Sequence, residues 1–407
     1  MDEKTLKLLE ERRDRLVTAY KGGIPDRVPI TANCTTFHAK YAGYTVADVA
    51  FDYEKNINAF VKTAKDFPGI DSFGAFVALE GMIFCVALFQ KSPEIAGTAR
   101  FITGPFHAIL KDCYTRWPGM ELDVNAHPQF IGKEIMKRDE YDQLIENPVE
   151  FINKVALPRI CESLRDPGSP EYNSAMVKYG LEIQKSTQAN MKLAEELGKL
   201  GYPAFPMGYS YAPLDLIGDF LRDIKNIILD IFRMPDTVKD AAEAVTPVLI
   251  DAGLATSAFP KEMMKQLGHD IIQVMYPLHL NEYLNPEQYK EFYWPYLKKV
   301  NLAHIEAGRI PWVFFEGEHK PHLETLKEIP KGKLIAMFEK TDPYKIREVL
   351  GDHLPIIHGI KNAVLIGGTA SKVEEEVKRV MDALKDDGGF VFNIGVDGGL
   401  SRDAKPE

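Results

Sequence analysis

Short, continuous apolar runs alternate with helix-period stretches along the second half of the chain. Residues 270–275 (Asp-Ile-Ile-Gln-Val-Met), 310–315 (Ile-Pro-Trp-Val-Phe-Phe), 333–338 (Lys-Leu-Ile-Ala-Met-Phe), 354–357 (Leu-Pro-Ile-Ile) and 389–394 (Gly-Phe-Val-Phe-Asn-Ile) are strand-sized and nearly uninterrupted. Helix signals fall between them. Asn285, Pro286 and Gln288 supply an N-cap, a first-turn proline and an N3 partner, which predicts a helix toward Gly308, bent at Pro295. Another helix is expected around His322 to Glu328. Thr341-Asp342-Pro343 opens a third that stops at Gly351, and Ser371 with Glu374 forms a capping box for a fourth that ends at Gly388 and Gly389.

Strands separated by helices return to the same end of a sheet, so this alternation predicts parallel pairing, and the unbroken apolar runs predict burial on both faces. The first half fits more loosely, with strand candidates at 27–31, 70–73 and 203–207. Three and five make eight, the count of a (β/α)8 TIM barrel, spanning 1–407 as one domain with a helical extension over 1–24. An open doubly wound sheet is the competitor, and no Gly-x-Gly-x-x-Gly follows an early strand to support it. No helix pattern follows the last strand. Either the sequence lacks its end or the barrel closes imperfectly.

Composition narrows the function classes. The chain has 407 residues, 45% hydrophobic and 27% charged, with a net charge of −10. That is an ordinary globular composition without the basic patch of a nucleic-acid binder. Four scattered cysteines (Cys34, Cys85, Cys113, Cys161) suit a reducing compartment and give no cysteine-rich metal site. The first sixteen residues are charged throughout, and the longest apolar run, 81–88, is too short to span a bilayer. The expectation is a cytoplasmic protein that engages neither membrane nor nucleic acid. A homodimer stays open.

In a barrel the active site forms where strands end. Glu316, Glu339, His358 and Asp397 follow the late apolar runs at intervals of one strand–helix period. Two carboxylates and an imidazole converging there match the donor set of a catalytic zinc, with Glu318, His319 and His322 close enough to add or orient a ligand. Single glutamates at strand ends also cap helices or meet arginines, and Asp397 sits in a glycine-rich turn where aspartate serves conformation. Candidates to line the substrate pocket are Asn33, Tyr209, Tyr211, His279 and Phe315, with Thr36 and Asp71 weaker. Each could equally pack beneath the loops. His38 and His107 read as loop histidines with partners.

The motifs Gly23-Ile-Pro-Asp-Arg-Val-Pro29, Pro118-Gly-Met-Glu-Leu122, Met136-Lys-Arg-Asp-Glu-Tyr-Asp142, Leu284-Asn-Pro-Glu-Gln288 and Trp294-Pro-Tyr-Leu297 stand in an order that resembles the uroporphyrinogen decarboxylase-like superfamily. The likeness extends through the strands ending at Gly317, Glu339 and Gly359 to the glycine-rich segment before Leu400. Its corrinoid-dependent methyltransferase branch is the nearer one. The decarboxylases of the superfamily carry an arginine-rich segment after strand one; here 31–37 reads Thr-Ala-Asn-Cys-Thr-Thr-Phe. The charges of a porphyrinogen would go unpaired in such a pocket. Thiol-methylating members hold zinc with a His-x-Cys and a later Cys, and those places are Phe314, Glu316 and Val396 or Asp397.

The resemblance therefore implies an O-demethylating methyltransferase. It would use zinc held by Glu316, Glu339 and His358, and a corrinoid (cobalamin) carried on a partner protein. The small methylated substrate is expected to be a methoxylated, aromatic compound; oxygen and nitrogen ligands leave a harder zinc that favours ether oxygen over sulfur. A methylamine, betaine or pterin substrate is the alternative within the branch. A metal-free decarboxylase-like or non-catalytic barrel is the alternative outside it.

Overall fold

The computed structural model describes residues 1–74 and 77–407. Eight parallel strands form one curled sheet: β1 (Ile30–Asn33), β2 (Ser72–Gly74), β3 (Met207–Tyr209), β4 (Gln273–Leu278), β5 (Ile310–Phe315), β6 (Ile335–Phe338), β7 (Ile356–Ile360) and β8 (Phe390–Ile394). Their order is β2-β1-β8-β7-β6-β5-β4-β3, so β8 pairs with β1 and brings the two halves of the chain together. All eight predicted runs become strands, the early ones shifted two to four residues later.

The curled sheet of eight parallel strands is the expected (β/α)8 barrel. Among the described residues β2 and β3, the ends of this order, do not pair. Both are three residues long, and Pro203 and Pro206 deprive the approach to β3 of backbone donors. The 29-residue helix Pro170–Gly198 covers this seam, and Phe73 meets Tyr202 edge-on at 5.2 Å across it. After β8 the described chain makes turns and no helix. The first helix, Glu3–Tyr20, packs Leu16, Ala19 and Tyr20 against Ile271, Ile335, Ile357 and Val391. It thereby plugs the end of the barrel where the strands begin.

Side chains alternate between the barrel interior and the surrounding helices. Trp312 and Phe314, Met337, Ile357, and Val391 and Asn393 point inward, while Phe315, Phe338, His358 and Phe392 point outward. Caps follow the predicted chemistry closely. Asn285 and Gln288 exchange backbone bonds in a capping box, and Asp342 caps Pro343–Leu350. The helix expected to start at Ser371 instead runs Ala370–Leu384 with Thr369 as its cap, which accepts from the Lys372 N–H. The helix after Asn285 contains a π-turn, Tyr289–Tyr293, just before Pro295; the extra residue absorbs the proline's missing bond.

Among the described residues no helix is long and apolar enough to cross a membrane.

Candidate active site

The C-terminal ends of the strands open onto a cavity of about 460 Å³. After β3 the chain enters a short helix, Pro213–Ile217, that widens into a π-turn, Gly218–Arg222. This places Asp215 and Asp219, four residues apart, on one face. Gly218 keeps the helix close to the loop after β4, since a Cβ there would stand 2.7 Å from Leu280. That loop presents His279.

Hydrogen bonds join these groups in a chain. His279 Nδ1 lies 2.5 Å from Asp219 Oδ2, and Tyr211 donates its hydroxyl to the same oxygen at 2.8 Å. On the other side of the ring, His279 Nε2 stands 3.4 Å from Glu316 Oε1. Burial opposes charge on this imidazole, but the flanking Asp219 and Glu316 carboxylates outweigh it and push its pKa well above the usual range. His279 is therefore an imidazolium held between two carboxylates.

Asp215 lies below and is fully buried. It accepts from the backbone N–H groups of His279 and Leu280, both at 3.0 Å, and from the Tyr293 hydroxyl at 2.6 Å. Burial and the nearby Asp219 lift its carboxyl to about 7 against the pull of His279 and these donors.

The rest of the rim is acidic. Glu339 accepts from the Gly317 N–H at 2.6 Å. Gly317 has φ +72°, and a Cβ there would collide with the Glu282 carboxylate, so glycine is required in this turn. Glu282 is paired with Lys340 at 3.0 Å. Glu80 comes from a two-stranded ribbon (Leu79–Glu80 with Phe101–Ile102) and meets the fully buried Arg100 at 2.7 Å. Burial raises the Glu80 pKa although Arg100 opposes the shift. Arg100 itself packs against the rings of Phe101 and Tyr209, 4.5 and 4.6 Å from their centroids. Five carboxylates (Glu80, Asp219, Glu282, Glu316, Glu339) thus line a cavity whose cations are Lys340 and His279.

The structure sorts the predicted residues unevenly. Glu316, Glu339, His279 and Tyr211 meet at the cavity. Tyr209 stands behind its wall, against Arg100. His358 does not join them. It is an in-strand residue facing outward, its Nε2–H donates to the Thr341 carbonyl at 2.9 Å, and its Nδ1 accepts from the Gly359 N–H at 2.8 Å. Both nitrogens are committed to backbone, and burial lowers its pKa to about 4. The expected Glu316–Glu339–His358 metal site is therefore corrected: among the described residues no three His, Cys, Asp or Glu side chains are grouped as metal ligands.

Asp397 is corrected as well. Its carboxylate accepts from the Asn362 backbone and side-chain amides at 2.9–3.1 Å, fastening the loop after β7 to the turn after β8. Phe315 faces outward and stacks on Phe338 at 4.9 Å, outside the cavity. Asn33 lines a different cavity, inside the barrel. His319 and His322 belong to an aromatic cluster behind the strand ends, His322 stacked on Tyr289 and His319 tilted against Phe315. Asp71 is clamped by Arg15 and Arg27, while His38 bonds Asn56 and His107 bonds Asp112.

The site also contains groups the sequence reading missed: Asp215, Asp219, Glu80 and Arg100. Asp215 and Asp219 carried a signal, two acids at helical spacing inside the apolar run Leu214 to Leu221.

The sequence profile of the uroporphyrinogen decarboxylase (URO-D) family matches residues 150–407, more than half of the chain. The chain belongs to the URO-D family. Among solved structures it is similar to a methyltransferase from Methanosarcina mazei, with 15% sequence identity and a TM-score of 0.58, over 97% of this chain and 94% of that one. A likeness at that identity speaks for the shared URO-D fold. No curated protein sequence matches the chain.

Proposed function

We propose that the mouth cavity is the active site of a methyltransferase that demethylates a small, uncharged methoxylated arene and delivers the methyl group to a corrinoid carried by a separate protein. The URO-D fold, its likeness to a methyltransferase, and the family resemblance of the motifs support the reaction class. The observation that carries the finer reading is the chain Asp219–His279–Glu316 inside the cavity.

An aryl methyl ether resists cleavage because phenolate is a poor leaving group. A reduced corrinoid supplies the electron pair that bonds to the methyl carbon. As the C–O bond breaks, its electrons stay on oxygen, and the His279 imidazolium donates the Nε2 proton to that oxygen. The products are a phenol and a neutral imidazole whose remaining Nδ1–H stays on Asp219. Water then restores the proton. A positioned general acid of this kind accelerates such a step by about 10²–10⁴-fold. Tyr211 and Asp215 hold the Asp219–His279 pair in place, and the partner docked over the mouth excludes water. The zinc implied by the resemblance does not fit the residues predicted to bind it, so no step runs through it.

The acidic lining selects against substrates that bear carboxylates, because a further negative charge would be buried among these acids. It also favours a second reading, a methylated ammonium compound as donor. An amine leaves without needing a proton, so the two readings separate on His279.

The test mixes the protein anaerobically with free cob(I)alamin and either 2-methoxyphenol or tetramethylammonium. Methylcobalamin is expected from 2-methoxyphenol and lost in His279→Gln. Formation from tetramethylammonium alone, unaffected by His279→Gln, would replace the ether reading with the second one. Formation from neither would overturn the proposal.

A further inference from the structure

A second cavity of about 310 Å³ lies within the barrel and shares no lining residue with the mouth. It reaches from Tyr20 in the plugging helix to Asn33 and Gly74 at the strand ends, and Asn190 and Leu193 of the covering helix line it at the β2–β3 seam. None of its described lining residues is charged, and six of them are aromatic. In that uncharged setting two buried polar atoms stand out. Gln273 and Asn393 are each 2% exposed, and among the described residues Asn393 Oδ1 and Gln273 Nε2 have no partner in full hydrogen-bond geometry, although the Tyr20 hydroxyl stands beside the Gln273 amide. Asn393 is anchored: its Nδ2 donates to Thr31 Oγ1 at 2.9 Å, which leaves Oδ1 as the free acceptor. Gln273 is on β4 and Asn393 on β8, four steps apart in the strand order and so on opposite walls.

A buried donor or acceptor left unmet is destabilising, so a cavity holding one of each on facing walls is suited to a molecule that meets both. The volume is at the lower end of ligand pockets and admits one substituted ring. The absence of any charged residue excludes an ionised ligand, whose desolvation nothing here would offset.

We infer that the barrel interior is a second ligand site, for an uncharged aromatic molecule of one ring that carries a hydrogen-bond acceptor at one end, for Gln273, and a donor at the other, for Asn393. This site does not depend on the methyl-transfer reading.

The probe is 4-hydroxybenzamide, with 4-hydroxybenzoate as its charged counterpart. Trp312 lines the cavity and serves as reporter. Saturable quenching of tryptophan fluorescence by 4-hydroxybenzamide is expected, absent in Trp312→Phe. Affinity should be at least about tenfold weaker in Gln273→Leu or Asn393→Leu and for 4-hydroxybenzoate. A crystal soaked with the probe should show the ring between the two amides. If the leucine variants fail to fold, the neutral–charged pair on the unaltered protein and the soaked crystal decide. Ordered water alone bridging the two amides, or equal affinity for both compounds, would overturn the inference.

Discussion

One barrel holds two cavities of opposite chemistry. Among the described residues the mouth is ringed by five acidic side chains around His279, whereas the interior has six aromatic residues and no charged one. The difference follows position along the strand. Residues just past a strand end, such as His279 and Glu316, sit on loops where water and neighbouring charges still reach them. Residues within a strand and pointing inward, such as Gln273 and Asn393, are stripped of water, and only a neutral amide is tolerable there. The loop positions are free to carry reactive charge; the strand positions can carry shape and hydrogen-bond polarity.

The sharpest way to break this contrast at the mouth is Asp219→Asn, which keeps the side-chain volume and removes the anion behind His279. Turnover of the ether substrate should fall about 10²–10³-fold if the imidazolium is the acid. The pH profile is the telling readout. His279 has a raised folded pKa, so its proton, and the stability that goes with it, is present below about pH 6.5 and is lost only as pH rises through the folded value. Activity should fall on that alkaline limb, and Asp219→Asn should shift the fall toward lower pH. An unmoved profile would take the proton away from His279.

Next in size is a charge placed where none belongs. Gln273→Glu is nearly isosteric, and the interior has no counter-charge for it. The variant should lose about 3 kcal/mol at pH 8, measured by urea unfolding, because burial of a lone carboxylate is opposed. Its folded pKa must rise, so the native state binds more protons than the unfolded chain, and stability should fall as pH rises from about 4 through that folded value. A variant equally stable at pH 5 and pH 8 would mean the interior is more open to water than its lining suggests.

These experiments act on residues that the sequence revealed to different degrees. The five late strands were legible because their apolar runs are continuous, as buried parallel strands require. The early three were blurred by their length and by Pro203 and Pro206, the same features that leave the seam unpaired. Glu316, Glu339 and His279 were legible from the rule that barrel chemistry sits at strand ends. Asp219 was hidden because it lies in a helix outside the strand register, and Glu80 because its ribbon belongs to an insertion that no periodicity announces. His358 and Phe315 were misplaced by a single residue of register. Ile357 and Phe314 point inward, so their successors must point outward.

His358 therefore offers the smallest and most discriminating test, since it belongs to neither cavity. His358→Ala removes one donor to the Thr341 carbonyl and one acceptor from the Gly359 N–H, both buried. The loss should be about 2 kcal/mol of unfolding free energy, from the unmet backbone groups and the space left behind. Ether turnover should stay within about threefold, because no atom of the mouth depends on this ring. The acid limb of stability adds a second reading. Burial depresses the pKa of His358 to about 4, so the folded state binds fewer protons than the unfolded chain between that value and about 6.5, and the stability tied to a neutral ring is lost as pH falls through this window. The alanine variant should be flatter there than the unaltered protein. Abolished turnover with unchanged stability would instead return His358 to the active site, and the boundary between the reactive mouth and its supporting strands would have to be redrawn one residue further into the barrel.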